Sequence, residues 1–404
     1  MTTQDTDTKN ASRCPVTDWS VEGNKPAGEF YRELDDLREA SDAYWNTSGN
    51  GFWMLTRFED MRDAYQNGKV FSSESIIVND PNPQYLWIPT LIDGPDHTKY
   101  RQILNSYFSP AAVREREQIN RGFAVAAIEK VLDKGRCDAA KEFSAEFAVR
   151  VFLAMTGLPQ EDMSDFVGWV DAIFAQMANA DDHSEQLAAA AAIRTYFIDM
   201  IAARRESPRD AKTDFVSHLL QSSFYDTPLT DDQTLNILEV LILAGLDTVR
   251  AQLSYSLFHF ATHPKDRQRI IDEPDLIPSA VEESLRYYSI VNPGRKLTED
   301  FEIAGCPMKK GDMVLLDLAQ ANRDPRVFSD ADVFVVDRPD NKHLAFAAGA
   351  HRCLGSHLAR QELAIGLEEW HKRIPHYVID GDEPVLEHGG MRGIISLPLR
   401  WIDL

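Results

Sequence analysis

The chain has 404 residues, 44% of them hydrophobic, so it is long enough to bury a large core. It carries 42 Lys and Arg against 64 Asp and Glu, and the formal net charge of −22 argues against a nucleic-acid partner. The N-terminus has no basic and apolar leader and no window holds about 18 consecutive apolar residues, so we expect a cytoplasmic protein that does not bind membranes.

The N-terminal segment differs in composition from the rest of the chain. Residues 1–26 are polar, which predicts a flexible tail, and order is expected to begin near Gly28. Residues 27–404 contain no linker and no break in composition, so they are predicted to form a single domain. The four cysteines are too few and too scattered to cross-link so large a fold, as expected in a reducing compartment, and each is interpreted singly: Cys14, Cys137, Cys306 and Cys353.

The first half of the chain is predicted to be mainly helical. A short strand is predicted over 52–56 and a helix over 58–66, followed by a Pro- and Asn-rich loop over 79–89. Residues 95–220 then favour helices. They include the Ala-rich stretch 186–205, whose composition has high helix propensity and few breakers.

The longest predicted helix lies in the middle of the chain. It begins at Thr230 in a capping signature, TDDQ, and ends near Thr262, where His263 and Pro264 stop it. At about 1.5 Å per residue it would be roughly 48 Å long, enough to cross the molecule. We therefore predict that it is the central element of the fold. One of its faces is apolar throughout: Leu235, Leu238, Ile242, Val249, Leu253, Leu257 and Phe260.

Shorter elements follow the long helix. A further helix is predicted over 278–288, and the stretches FEIAG, MVLLDL and GIISLPLRWI are typical of strands in small sheets. The predicted fold class is therefore mainly α with small β-sheets, an α+β arrangement.

Residues 346–355 read FAAGAHRCLG and place Cys353 just before another predicted helix. A thiolate is a soft metal ligand that backbone N–H groups and positive charge stabilise, and the flanking glycines allow the backbone to approach a bulky flat group. Three interpretations remain open: a buried structural thiol, a zinc site that includes His351 and His357, or haem held by one axial thiolate. No second cysteine lies nearby to complete a zinc site.

FAAGAHRCLG resembles the haem-binding loop of the cytochrome P-450 superfamily, whose usual form is Phe-Gly-x-Gly-x-His/Arg-x-Cys-x-Gly. Ala347 stands where that form has its first glycine. Glu283 and Arg286 match the Glu-x-x-Arg motif of the same family, and Arg338 fits the third member of that structural cluster.

The resemblance extends from about residue 50 to the C-terminus, and it implies one haem-thiolate monooxygenase domain over 27–404 with the long helix over the haem. The implied cofactor is haem b, iron protoporphyrin IX, with Cys353 as its axial thiolate. For the charged members of the implied site, ordinary surface charge is the alternative. The residues that resemble the family's haem-binding set are His97, Arg101, Ala244, Arg295, Phe346, Gly349, His351, Cys353 and Gly355.

Within the long helix, Asp247 and Thr248 interrupt the apolar pattern, and each needs a partner if it is buried. In the superfamily such an acid–alcohol pair delivers protons, so the resemblance implies that both residues are catalytic. Ala244 and Gly245 would make room over the iron. The alternative is that Thr248 bonds back to the carbonyl of Ala244 and only bends the helix.

The resemblance also implies an O2-dependent hydroxylase that takes two electrons from an iron–sulfur ferredoxin and an NAD(P)H-dependent reductase. Arg101, Arg352 and Arg360 are expected near the cysteine, where a basic cluster would dock an acidic partner. For Arg360, solvated helix charge is the alternative. A peroxide-driven peroxygenase and a non-enzymatic haem sensor or carrier are the alternative functions, and a monomer is expected.

Residues 85–90, YLWIPT, resemble a substrate-contacting stretch of camphor-hydroxylating members. Tyr85 is predicted to donate a hydrogen bond to a substrate oxygen, and the alternative is a loop tyrosine that bonds water. Such a pocket suits a small apolar molecule with one polar group, terpenoid-like first and aromatic or steroid as the alternative. Pro293 stands where the camphor branch usually has an acid, so the same substrate is not assumed. The predicted apolar walls are Trp87, Val240, Leu243, Val291 and Met391.

Overall fold

The computed structural model describes residues 14–175 and 184–402. The helices are α1 (Glu29–Ala40), α2 (Phe58–Gln66), α3 (Gly94–Phe108), α4 (Pro110–Glu115), α5 (Glu117–Leu132), α6 (Glu146–Thr156), α7 (Met163–Ala175), α8 (Ser184–Glu206), α9 (Phe215–Gln221), α10 (Asp231–Thr262), α11 (Pro264–Asp272), α12 (Ile277–Tyr287), α13 (Leu318–Asn322) and α14 (Ser356–Arg373). The strands are β1 (Val16–Thr17), β2 (Asn24–Pro26), β3 (Ala43–Asn46), β4 (Phe52–Leu55), β5 (Phe71–Ser72), β6 (Arg136–Asp138), β7 (Ser223–Phe224), β8 (Thr227–Pro228), β9 (Gly294–Leu297), β10 (Phe301–Ile303), β11 (Cys306–Met308), β12 (Met313–Leu315), β13 (Tyr377–Ile379), β14 (Leu386–His388), β15 (Gly393–Ile394) and β16 (Pro398–Trp401).

The fold is mainly α-helical with small sheets, as predicted, and α10 lies at its centre. α10 packs against α6, α8, α14 and a π-helix at Ala139–Ala145. Gly366 of α14 allows the close approach to α10, because a Cβ there would lie 3.0 Å from the Leu253 side chain. Within the described ranges, no helix combines the length and the apolar character needed to cross a membrane.

The prediction for the central helix is confirmed at both ends. The Thr230 hydroxyl accepts a hydrogen bond from the Gln233 N–H at 3.1 Å, and the Gln233 side chain accepts one from the Thr230 N–H at 2.9 Å. This reciprocal cap satisfies two N–H groups that the helix itself cannot pair. Pro264 begins α11 directly after α10, since proline is tolerated in the first turn of a helix but not in its interior.

The largest sheet has the strand order β1-β3-β4-β12-β9-β5. β12 pairs in parallel with β4 and antiparallel with β9, with Val314 opposite both Trp53 and Arg295. This sheet therefore carries Arg295, one of the predicted haem-binding residues, at a fixed position in β9. A Cβ on neighbouring Gly294 would lie 2.9 Å from the Val78 side chain, so the glycine admits the 76–78 segment against β9.

The predicted N-terminal tail is wrong for residues 14–26, while residues 1–13 lie outside the described residues. β1 pairs in parallel with β3, and β2 pairs with β14, so this polar segment is part of two sheets. Cys14 and Cys306 form a disulfide with 5.7 Å between their Cα atoms. Interpreting each cysteine singly was therefore wrong for this pair. A disulfide is also unusual in a reducing compartment, which the few scattered cysteines were interpreted to indicate.

The three residues of the predicted structural cluster meet in the interior. The Glu283 carboxylate accepts hydrogen bonds from the Arg286 guanidinium at 2.8 and 2.9 Å and from Arg338 Nε at 3.0 Å. Glu283 and Arg286 are fully buried. The Val335 N–H and the Asn341 amide fill the remaining positions on the carboxylate, so this buried charge has no free acceptor site.

Candidate active site

The Cys353 loop is held by one backbone hydrogen bond and two residues with left-handed backbone conformation. The Cys353 N–H donates to the Phe346 carbonyl at 2.9 Å. Gly349 has φ +71°, and a Cβ there would lie 2.4 Å from the Tyr65 carbonyl oxygen, so only glycine fits at this position. Ala347 has φ +55°. Left-handed backbone costs a non-glycine residue about 1–2 kcal/mol, so the departure from the family pattern at Ala347 carries local strain.

Positive charge and one N–H group surround the sulfur of Cys353. The side chain is open to solvent on one side, and desolvation by the protein on the others raises the pKa of the thiol. A hydrogen bond from the Gly355 N–H and the guanidinium groups of Arg101, Arg352 and Arg360 act in the opposite direction and favour the thiolate. A metal cation on the sulfur would lower the pKa further, since coordinating thiols are deprotonated.

Two of the predicted haem-binding residues, the buried Arg295 and the partly buried Arg101, are cations without a carboxylate partner. Arg295 is 5% exposed, lies over the Tyr65 ring at 5.1 Å, and donates only to the neighbouring Gly294 carbonyl at 2.7 Å. Burial lowers the pKa of both Arg295 and Arg101. Within the described part of the chain, no acidic side chain forms an ion pair with either guanidinium. A buried cation in this state calls for an anion from outside the chain.

The two predicted histidines pack against each other beside Arg101. The rings of His97 and His351 lie 4.0 Å apart between centroids. Burial, then His351 and Arg101, lower the pKa of His97 to about 4, so its imidazole is neutral at pH 7. The structure therefore brings His97, Arg101 and His351 together next to Cys353.

Asp93 is a member of this cluster that the sequence analysis missed. Its carboxylate accepts hydrogen bonds from the Ser72 hydroxyl at 2.6 Å, the Ser73 N–H at 2.9 Å and His351 Nε2 at 2.9 Å. These donors lower its pKa despite the desolvation that raises it. The signal available in the sequence was its place just before Gly94 and Pro95, where an acid commonly precedes a helix.

The bond from His351 to Asp93 also bears on the zinc interpretation. His351 Nε2 is engaged with Asp93 Oδ1, which leaves only Nδ1 of this imidazole for a metal ion. Among residues 14–175 and 184–402, no three His, Cys, Asp or Glu side chains are arranged as a metal site.

The acid–alcohol pair lies at the middle of α10. Thr248 donates its hydroxyl proton to the Ala244 carbonyl at 2.7 Å, as the alternative interpretation expected, and its oxygen lone pairs remain free to accept. Asp247 is 4% exposed, and its Oδ2 is buried without a hydrogen-bond partner. Burial raises its pKa to about 6, while Arg250 lowers it and Asp171 raises it.

The six predicted substrate-contacting residues lie in three separate pairs. The Tyr85 and Trp87 rings pack at 4.5 Å in the loop before α3. Burial raises the pKa of the Tyr85 hydroxyl to about 12, and the adjacent Asp80 carboxylate contributes in the same direction. Val240 and Leu243 lie about one turn apart on α10.

The third substrate pair, Val291 and Met391, is held together by a backbone contact. The Arg392 N–H donates to the Ile290 carbonyl at 2.9 Å, which joins the segments that carry the two side chains. Both side chains are partly buried and pack against the main hydrophobic core.

A sequence profile for cytochrome P450 matches residues 93–373. The chain belongs to the cytochrome P450 family. It is 35% identical to the probable cytochrome P450 127A1 of Sinorhizobium fredii, over 87% of this chain and 84% of that protein. It is 30% identical to the methyl-branched lipid omega-hydroxylase of Mycobacterium tuberculosis, over 95% of this chain and 92% of that protein. The solved structure of CYP101J2 matches with a TM-score of 0.85 at 29% identity, and the match covers 96% of this chain and 97% of that chain.

Cytochromes P450 are haem-thiolate monooxygenases, and this chain is therefore an enzyme that holds haem through a cysteine. Of its two free cysteines, Cys137 is a buried strand residue whose thiol has a pKa raised to about 12 by burial. Cys353 lies among cations instead. The unpaired guanidinium groups of Arg101 and Arg295 fit the two propionates of a haem. The residues present thus match the cofactor in both charge and ligand.

Replacing Ala347 by glycine tests the strain in the Cys353 loop. We expect Ala347→Gly to stabilise the folded protein by about 0.5–1 kcal/mol, because relief of the left-handed strain exceeds the entropy that glycine adds to the unfolded chain. Ala348→Gly is the matched control, since Ala348 is not among the residues with positive φ, and it should destabilise by a similar amount. Urea unfolding of the haem-loaded variants measures both. If Ala347→Gly lowers the free energy of unfolding, the proposed backbone strain at Ala347 is wrong.

The raised pKa of Asp247 makes a pH-dependent contribution to stability. The folded state disfavours the ionised carboxyl. The contribution of Asp247 to the free energy of unfolding is therefore fully present below about pH 4 and is lost as the pH rises to the folded pKa of about 6. Asp247→Asn should therefore add up to about 3 kcal/mol to the unfolding free energy at pH 7.5 and almost nothing at pH 4. Denaturant titrations at the two pH values measure the difference. The exposed control Asp382→Asn should show no such contrast, and an equal effect of Asp247→Asn at both pH values contradicts the shift.

Proposed function

We propose that this cytochrome P450 hydroxylates a small, mostly apolar, terpenoid-like substrate with O2 and two electrons from a ferredoxin. The observation that supports it best is the buried Asp247 carboxyl next to Thr248 in the middle of α10, whose Oδ2 has no hydrogen-bond partner. A buried acid with this pKa destabilises the fold at neutral pH, so a role in chemistry explains its presence. We further propose that the enzyme acts as a monomer in the cytoplasm, where the Cys14–Cys306 disulfide would be an exception to the usual reduced state of thiols.

Haem iron bound to a thiolate supplies reductive cleavage of O2 and transfer of one oxygen atom to a substrate C–H bond. Cys353 would hold the iron through Sγ, and the propionates would be oriented by Arg101, Arg295, His97 and His351. Stacking against His351 keeps the His97 ring in place, and Asp93 fixes the orientation of His351.

Proton handling falls to the two residues in the middle of α10. Thr248 Oγ1, whose proton is donated to Ala244, accepts a hydrogen bond from water or from an oxygen-bearing group in the pocket. Asp247 Oδ2, with a pKa near 6, gains and loses a proton readily at pH 7. A peroxygenase that uses hydrogen peroxide, or a haem sensor, would have no use for such a pair.

The electron donor would approach the face that carries Cys353. Arg352 is exposed there, and the pKa of His357 is lowered by partial burial and by Arg352 and Arg360, as expected within a cationic patch. The Arg360 guanidinium is bound by Glu282 at 2.6 and 2.8 Å, so we assign docking to Arg352 and not to Arg360. In a chain of net charge −22, this patch suits an acidic ferredoxin.

The thiolate assignment has a direct spectroscopic test. We expect the reduced, carbon monoxide-treated protein to show the strongly red-shifted Soret band of thiolate-bound haem, and Cys353→His to lose that shift while retaining haem. Cys137→Ala is the matched control and should behave as the parent. A parent protein without the band, or a Cys353→His variant that keeps it, would be inconsistent with the assignment.

Titration with candidate substrates tests the pocket. Monoterpenoids should give the largest low-to-high-spin absorbance change in a panel with aromatics, steroids and a methyl-branched fatty acid, the last suggested by the name of the mycobacterial relative. Tyr85→Phe should weaken binding of an oxygen-bearing terpenoid by about 2- to 10-fold through loss of one hydrogen bond, with no effect on a terpene hydrocarbon. If steroids or the fatty acid give the largest absorbance change, the proposed substrate class is wrong, while the proposed monooxygenase reaction is unaffected.

A further inference from the structure

A cavity of about 330 Å³ lies against the face of α10 that carries Asp247, Arg250 and Ala251. Its lining includes two exposed residues, Asn24 of β2 and Lys141 of the π-helix. The cavity therefore leads from the protein surface to the buried Asp247 carboxyl. Its volume is sufficient for several water molecules.

Two side chains of this cavity have buried polar atoms without a partner. One is Asp247 Oδ2 and the other is His388 Nδ1, at the end of β14. Buried polar atoms are normally hydrogen-bonded, yet Asp247 Oδ2 and His388 Nδ1 both lack a partner beside a cavity large enough for water. Water that entered from the cavity would connect the two groups.

The hairpin of β14 and β15 sets the position of His388. His388 pairs with Gly393 across the hairpin, and a Cβ on Gly393 would lie 2.7 Å from His388 Nε2 and 3.6 Å from the Ala251 side chain. The missing side chain at Gly393 thus makes the space in which the imidazole lies against α10. Any larger residue would displace the ring.

We propose that His388 passes protons from water in this cavity to Asp247, which makes the hairpin the proton entrance of the enzyme. This inference rests on the proposed function, in which Asp247 supplies protons to the reaction. His388 is a positioning and relay residue, since it acts through Asp247 and has no contact with the substrate.

The proton balance follows from the monooxygenase reaction. Insertion of one oxygen atom into a C–H bond reduces the other to water and consumes two electrons, from the ferredoxin, and two protons. For each proton, an N–H bond of protonated His388 breaks, a cavity water carries the proton, and an O–H bond forms at Asp247 Oδ2. His388 is reprotonated from solvent-exchanging water. Burial and Arg250 lower the pKa of His388 to about 4, and Asp247 has a pKa of about 6, so transfer from imidazolium to carboxylate is downhill.

The other charged groups of the cavity are fixed or peripheral. Arg250 is paired with Asp171 of α7, which keeps the guanidinium from forming a tight ion pair with Asp247. Lys141 lies at the exposed mouth, 3.7 Å from Asp138. Between them, Arg250, Asp171 and Lys141 account for the remaining titratable lining of the cavity.

The test compares His388→Gln with Asp247→Asn, with their double variant, and with the matched control His376→Gln. The reconstituted enzyme is assayed with ferredoxin, reductase and the monoterpenoid that gives the largest spin-state change. We expect His388→Gln to lower product turnover by about 10-fold and to raise the solvent deuterium isotope effect, since proton delivery becomes rate-limiting. The double variant should be no slower than Asp247→Asn alone, because both residues belong to one route. His376→Gln should match the parent.

Each result separates the inference from the proposed function. If Asp247→Asn slows turnover but His388→Gln retains the parental rate and isotope effect, the relay is wrong and the role of Asp247 survives. If the two substitutions are additive, His388 lies outside the route and the inference fails. If Asp247→Asn itself is without effect, the proposed role of the acid–alcohol pair fails first. If His388→Gln folds poorly, Gly393→Ala replaces it in the test. This variant keeps the imidazole but displaces it, so it should lower turnover in the same way.

Nuclear magnetic resonance gives a readout that needs no turnover. In the reduced, carbon monoxide-bound holoenzyme, which is diamagnetic, the ¹⁵N resonances of His388 should shift with a midpoint near pH 6 as Asp247 titrates through the shared water. The same shift should vanish in Asp247→Asn. Resonances that stay flat from pH 5 to 7, or that still shift in Asp247→Asn, would overturn the connection between the two groups.

Discussion

The position of the Cys353 loop depends on the buried ion pair between Glu283 and Arg286. The Glu283 carboxylate binds Arg286, whose Nη1 donates to the Asn322 carbonyl at 2.9 Å, and the Asn322 side chain accepts from the Leu344 N–H at 2.6 Å. Leu344 is two residues before Phe346, where the loop begins. Breaking a buried pair leaves an uncompensated charge at a cost of about 3–5 kcal/mol, so this chain of contacts has little freedom to shift. The position of the Cys353 loop therefore depends on an ion pair within a different element, α12.

A contrast in charge separates the structural interior from the site. Around Glu283, acids and guanidinium groups satisfy one another completely, as they do between Asp317 and Arg392, which are both fully buried. At the predicted haem site, the guanidinium groups of Arg101 and Arg295 have no acidic partner among the described residues. The same residue types thus stabilise the fold where they are paired and create a binding site for an anionic group where they are not.

The sequence predicted the parts of this protein that depend on local patterns. The bounds of α10 follow from a capping box and a proline, and the Cys353 loop follows from a motif with fixed spacing. The sequence did not predict that residues 14–26 join two sheets, because short polar strands owe their stability to distant partners such as β3 and β14. Asp93 was missed for the same reason, since its role arises from three donors that only the fold brings together.

Three departures from local rules of stability lie at or beside the site. Ala347 adopts a left-handed backbone, Asp247 is a buried acid without a partner for Oδ2, and His388 Nδ1 is equally unpaired. Each exception destabilises the folded state in isolation, so packing alone does not account for them. Asp247 and His388 line one cavity on one side of α10, which connects two of these departures to a single physical purpose, the movement of protons into the interior.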